Sequence, residues 1–190
     1  MRVAIFSLCL WLLAACGDGG SVTFKGSDIS GTKLGQNWSL VGMDGKTYTP
    51  ASFQGKVTLV FFGFTQCPDV CPTALAELTQ VMKLLGDRAA QVQVLMISVD
   101  PERDTPEVLR AYISGFNPKF LGLTGTPEQI KAAAGSFKAY YAKVPAAKGA
   151  YSMDHSSSFY LLDKKGEARV MLNSTIGAAA VAQDIEALLR

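Results

Sequence analysis

The residues with the sharpest chemistry are two cysteines four apart, in Cys67-Pro68-Asp69-Val70-Cys71-Pro72, and the chain's one histidine, His155. Positions i and i+4 share a helical face, with Cβ atoms about 5–6 Å apart. Two sulfurs so placed can close a disulfide after small adjustment or hold one soft ion. Thiolates favour Cu(I), Zn(II) or iron–sulfur clusters. A cluster ordinarily takes four cysteines, and structural zinc takes four protein ligands. This chain offers two thiolates and one imidazole. Three donors suit trigonal Cu(I), or Cu(II) with an added carboxylate or water. A disulfide serving only as a staple would close so short a loop that it removes little entropy from the unfolded chain. Asp154, next to His155, is a candidate either to orient the imidazole or simply to make a turn.

The same pair could instead be redox-active. Cysteines at a strand-to-helix turn face the positive end of the helix, which is expected to favour thiolate. An extracytoplasmic thiol–disulfide oxidoreductase using Cys67 and Cys71 is therefore the main rival to a metal protein. The C-x-x-x-C spacing, one longer than the C-x-x-C of thioredoxins, speaks against it. So does His155-Ser156-Ser157-Ser158, which occupies the stretch where such enzymes usually carry a cis-proline. A peroxidase fits less well, because Thr65 precedes Cys67 at the wrong offset.

These residues must be positioned by the elements around them. Lys56 to Phe64 is almost wholly β-branched or aromatic and reads as a buried central strand running into the Cys motif. After Pro72, Leu75, Leu78, Val81, Met82 and Leu85 recur at helical spacing, and Gly86 supplies a stop. Residues 92–99 read as a second buried strand. Thr105-Pro106-Glu107 and Thr126-Pro127-Glu128 each open a helix, with Thr as N-cap and Pro at the first helical position. Residues 142–154 read as a loop that delivers His155. Residues 158–163 and 168–172 read as a closing pair of strands, and residues 178–189 as a last helix. Upstream, Trp38 to Val41 and Lys46 to Thr49 flank Asp44-Gly45, a hairpin signal. Strands alternating with helices give an α/β fold, a central mixed sheet flanked by helices. The N-terminal β-hairpin, the closing hairpin and the Cys turn make that plan resemble thioredoxin.

The remaining cysteines, Cys9 and Cys16, lie at the start of the chain. Arg2, the apolar run from Val3 to Leu13 and the small residues Ala14 and Ala15 compose a secretory signal. The run is shorter than the roughly 20 residues needed to span a bilayer. Leu13-Ala14-Ala15-Cys16 resembles a bacterial lipobox. That implies removal of residues 1–15, lipidation of Cys16, and a membrane-anchored protein of the bacterial cell envelope facing the periplasm or extracytoplasmic space. A Gly/Ser/Thr/Asp-rich tether is expected over residues 16–36, then one domain over 37–190. Only Cys67 and Cys71 would remain as free thiols in an oxidising compartment, where such a pair forms a disulfide or holds a metal.

Composition agrees with one folded domain. The 190 residues are 48% apolar and 18% charged, with a net charge of +2 and no Lys/Arg cluster. A disordered chain and a nucleic-acid binder are both disfavoured.

Gly63-Phe64-Thr65 leads into the Cys motif. With Ser98-Val99-Asp100-Pro101-Glu102-Arg103-Asp104-Thr105, and Asp154-His155-Ser156 before Phe159-Tyr160-Leu161-Leu162, it makes a combination that resembles the Sco/SenC family. The resemblance runs over roughly residues 37–190. It implies a thioredoxin-like domain that binds copper, Cu(I) or Cu(II), through Cys67, Cys71 and His155. It implies a metallochaperone that assists the dinuclear copper site of cytochrome c oxidase, by delivering copper or by reducing that site's cysteines. The implied partners are the oxidase's copper-bearing subunit or another copper chaperone. Many relatives carry His where this chain has Gln66, a position outside the three ligands. Asp100, Arg103 and Asp104 are expected mainly to cap the helix that follows them.

Overall fold

The computed structural model describes residues 23–190. Its elements in chain order begin with β1 (Ser27–Asp28), β2 (Leu40–Gly42), β3 (Thr47–Tyr48) and β4 (Val57–Gly63). Helix α1 (Val70–Leu85) follows, then β5 (Val92–Ser98), α2 (Pro106–Ser114), β6 (Leu121–Thr124) and α3 (Pro127–Phe137). The chain closes with β7 (Tyr141–Pro145), β8 (Tyr151–His155), β9 (Ser158–Leu162), β10 (Ala168–Asn173) and α4 (Ala178–Leu189).

Eight strands form one sheet in the order β1-β10-β9-β4-β5-β6-β2-β3. Strands β4, β5 and β6 are parallel, and β9 lies antiparallel to β4 on its other side. Every residue of β4 is buried, as its unbroken apolar run predicts for a strand covered on both faces. Its side chains alternate between two cores. Leu59 and Phe61 pack with α1, α2 and α4 through Leu75, Leu78, Leu109, Ile113, Val181 and Ile185. Val60, Phe62 and Phe64 pack on the other face with Trp38, Leu40 and the α3 residues Ile130, Ala133 and Phe137.

Helix starts follow the local code. Thr126 Oγ1 accepts from the Gln129 N–H, and Gln129 returns its side-chain oxygen to the Thr126 N–H at 2.8 Å, a complete capping box. The hairpin expected around Asp44-Gly45 is β2–β3, pairing Leu40 with Tyr48.

Three expectations are corrected. Residues 142–154 are not a loop: β7 and β8 form a separate antiparallel ribbon, registered from Tyr141 opposite His155 to Pro145 opposite Tyr151. Residues 121–124, for which no strand is expected above, form β6, which joins β5 to the hairpin. The stretch read as a tether over 16–36 is, in its described part, tied to the domain. The buried Asp184 carboxylate of α4 accepts the Lys25 and Gly26 N–H groups at 2.7 and 2.9 Å, and β1 then pairs with β10. The signal segment, Cys16 and its lipidation lie outside the described residues. No helix among the described residues is long and apolar enough to cross a membrane.

Candidate metal centre

The centre forms where β4 and β5 end. The two strands stay paired past their last residues, with the Val99 N–H donating to Gly63 O at 2.9 Å. The chain then turns at Phe64, the Cys67 N–H donating to Phe64 O at 3.3 Å, before entering α1. Cys67 falls in this turn and is half-buried, whereas Cys71 lies in the first turn of α1 and is 1% exposed. Both are free thiols. The Cys71 N–H points at Cys67 Sγ, 3.4 Å away. Gly63 makes room for the inner sulfur: a Cβ there would stand 2.8 Å from Cys71 Sγ. A glycine at that point of the strand is required by close approach, not by an unusual backbone angle.

His155 arrives from the other side, at the last position of β8. Its Nε2 is 3.6 Å from Cys71 Sγ, and its Nδ1 lies 3.0 Å from Ser156 O. With the proton on Nδ1 and donated to that carbonyl, the Nε2 lone pair faces the thiols. The edge-on ring of Phe64, 5.8 Å away, backs the imidazole.

The donor atoms of Cys67, Cys71 and His155 all lie within 4.8 Å of one another. Ligand atoms sharing one ion at about 2.0–2.3 Å are at most about 4.6 Å apart. Slight contraction would therefore bring all three onto a single ion. Two sulfurs and one imidazole nitrogen make a soft donor set. Among the described residues, no other group of three or more His, Cys, Asp or Glu side chains is close enough to hold a metal.

Two site expectations change. Asp154 does not orient the imidazole. It is exposed, and neighbouring strand residues point to opposite faces, so its side chain leaves His155 to be held by Ser156 O. The helix N-terminus does not win at Cys71. Burial pushes that thiol far above the ordinary range, and the neighbouring Cys67 adds to the effect.

The Asp100–Asp104 loop does more than precede a helix. The cap of α2 is Thr105, whose side chain accepts from the Val108 N–H. Asp104, fully buried, accepts from Ser98 Oγ at 2.6 Å, from Thr65 Oγ1 at 2.6 Å and from the Thr65 N–H at 3.1 Å. Burial raises its carboxyl pKa, against the lowering effect of these hydrogen bonds. Asp100 accepts from Arg103 Nε and from the Tyr151 hydroxyl. The loop thus reaches both the Cys turn and the ribbon. The signal for this was in the sequence, as the charged residues Asp100, Glu102, Arg103 and Asp104 placed after a buried strand, but their partners in the Cys turn and the ribbon lie 37 to 51 positions away.

Fold and centre together define a class: a thioredoxin-like domain whose Cys turn carries a dithiol–imidazole site for a soft metal. Comparison with known proteins places it further. A family model described as SCO1/SenC matches residues 26–190. An SCO2-like protein of Rickettsia prowazekii is 42% identical over 136 residues, covering 70% of this chain and 66% of the relative. Copper-bound ScoI of Bradyrhizobium japonicum superposes with a TM-score of 0.76 at 41% identity, covering 82% of this chain and 99% of that one. BsSco is described as a member of the Sco family of cytochrome c oxidase assembly proteins and as having a disulfide switch. It superposes at 0.67 with 27% identity, covering 85% of this chain and 95% of that one. The chain belongs to the SCO1/SenC family.

Proposed function

We propose that this protein is a copper-binding metallochaperone that assists maturation of the copper site of cytochrome c oxidase. The observation that carries the reading is the convergence of Cys67, Cys71 and His155 on one point with a soft donor set. The copper-bound relative, and the place of BsSco in a family of cytochrome c oxidase assembly proteins, suggest the metal and the process. Copper is cargo here. Cys71 is enclosed, whereas Cys67 and His155 are half-open to solvent. An incoming donor on the partner, the oxidase's copper-bearing subunit or another chaperone, meets Cys67 and His155 first. Cys71 is the last ligand to let go.

A second reading is favoured by the free state of both thiols. Half-exposed Cys67 can attack a disulfide of the oxidase subunit as its thiolate, giving a mixed disulfide. Cys71 then displaces the target sulfur. Two electrons and two protons pass to the target, and Cys67 and Cys71 are left as a disulfide. One protein can serve both steps, reducing the target's cysteines and then loading them. In this reading Cys16 is lipidated and anchors the domain to a bacterial membrane on the extracytoplasmic side.

The test is an anaerobic Cu(I) titration of the reduced chain from residue 17 onward, against a competing chelator, for wild type and His155→Ala. One tight equivalent that weakens in the variant is expected. Absence of tight binding would move the function to dithiol exchange alone.

A further inference from the structure

The thiols and the imidazole come from two pieces of structure that share no strand pairing. The Cys turn belongs to the eight-stranded sheet, and the His ribbon is a two-stranded sheet of its own. One side chain touches both. Arg103 Nη1 donates to Gln66 Oε1 at 2.9 Å, next to Cys67, and to Tyr151 O at 3.1 Å, on the His155 strand. Its Nε is paired with Asp100, whose other carboxylate oxygen accepts the Tyr151 hydroxyl at 2.9 Å. The guanidinium lies 3.8 Å from the centroid of the Tyr151 ring and 5.9 Å from that of Phe64, the ring that backs His155. Tyr151 and His155 are i and i+4 on β8 and project from the same face of the ribbon. Fixing Tyr151 therefore fixes the face that carries the imidazole. Asp100, which aims the guanidinium, is itself held through its N–H on Ser98 Oγ, beside Asp104.

We infer that Arg103 is a positioning residue: it clamps the His155 ribbon to the Cys turn and so sets the imidazole against the two thiols. It touches no donor atom and acts through His155. The inference rests on the metal-site reading for its effect on copper, but the clamp itself exists without metal. A lysine keeps the charge and loses the planar fork, so it cannot serve Gln66, Tyr151 and Asp100 together.

The test compares wild type, R103K, His155→Ala and the double variant, all as the full mature chain. In the metal-free protein, amides of residues 141–155 in R103K should exchange about tenfold faster, with β4 and β5 unchanged. Cu(I) affinity should fall about tenfold, the lower end of the range for lost supports of metal ligands. In the His155→Ala background the same substitution should leave affinity unchanged. Unaltered ribbon exchange would overturn the clamp, and so would an equal loss of affinity in both backgrounds. If wild type binds no Cu(I), the proposed function fails, and the clamp is judged by exchange alone. If R103K does not fold, Gln66→Ala severs the same bridge at an exposed residue. It should give a smaller, roughly threefold loss of affinity that again requires His155. A loss that persists without His155 would overturn the inference.

Discussion

The two halves of the metal centre are built in opposite ways. The Cys turn grows out of the most buried strand of the molecule, with Cys71 enclosed between Gly63, α1 and the apolar core. The His ribbon alternates half-exposed and exposed residues along β8 and has no fully buried side chain in either strand. It is fastened by polar contacts through Arg103, Asp100 and Tyr151, with Tyr141 and Met153 resting against the second core. Local stability follows buried apolar contact, so the ribbon should open far more readily than the Cys turn. A site whose thiols are firmly packed and whose imidazole rides on a loosely packed ribbon can grip a soft ion and still release it.

The sharpest way to break this comparison is at the Cys half. Cys71→Ser should abolish stoichiometric Cu(I) binding, because a hydroxyl does not replace a buried soft thiolate. Near-native affinity by chelator competition would refute the three-donor centre. His155→Ala should cost at least the 10–100-fold associated with losing an outer support of a metal ligand. It should leave the rate at which Cys67 and Cys71 close a disulfide unchanged, measured by thiol titration after oxidation. Equal loss of both would mean that the ribbon also shapes the Cys turn.

The Cys half was largely legible from the sequence and the ribbon half was not. Strand β4, α1 and the Thr-Pro helix starts announce themselves by apolar runs, helical spacing and caps, which are local and strong signals. Cys67, Cys71 and His155 stood out by residue type and scarcity. The ribbon left only a weak trace, because no side chain of either strand is fully buried, β7 carries Lys143 and Pro145, and the alternation in Tyr151-Ser152-Met153-Asp154-His155 is too short to stand out from a loop. Strand β1 is two exposed residues, and the Lys25-Gly26 backbone just before it is held by Asp184, 159 and 158 positions away. Strand β6 is four residues, and its Gly122 packs against Leu109 and Ile113 of α2 where a Cβ would collide with Ile113 at 2.6 Å. Arg103 reads as one more charge ahead of a helix until Gln66 and Tyr151 are brought beside it. Contacts made by long-range polar pairing have no short-range pattern to find.

Burial marks the Cys half in its acidity as well. Burial holds the Cys71 thiol protonated in the folded protein beyond the ordinary thiol pKa of about 8.5. The folded state therefore keeps a proton that the unfolded chain gives up above that pH. The metal-free protein should hold this contribution fully below about pH 8.5 and lose stability as pH rises further. Denaturant midpoints at pH 7 and pH 10 should show the decline in wild type and a flatter dependence in Cys71→Ser. Metal binding runs the other way. It must expel that proton, so Cu(I) affinity should climb with pH over the same span.

A smaller effect is expected at Gly63→Ala. The new Cβ would enter the space of Cys71 Sγ, and its other neighbours are the packed side chains of Met96 and Phe61 at 3.3 and 3.4 Å. Overpacking of this kind costs about 1–3 kcal/mol, read as a lower thermal midpoint, and should displace the inner thiol while leaving the ribbon untouched.

The smallest effect belongs to Lys143→Ala. Lys143 pairs with Glu102 at 2.7 Å and lies 3.9 Å from the centroid of the Tyr151 ring, which looks like a second fastening for the ribbon. Both partners are largely in solvent, where side-chain entropy and screening cancel most of an ion pair's attraction. Thermal midpoint, ribbon amide exchange and Cu(I) affinity should all stay within experimental scatter of wild type, at low and high salt alike. A clear rise in ribbon exchange that grows with salt would instead place the ribbon's hold at the surface. The buried Asp100 network would then no longer distinguish the two halves of the centre.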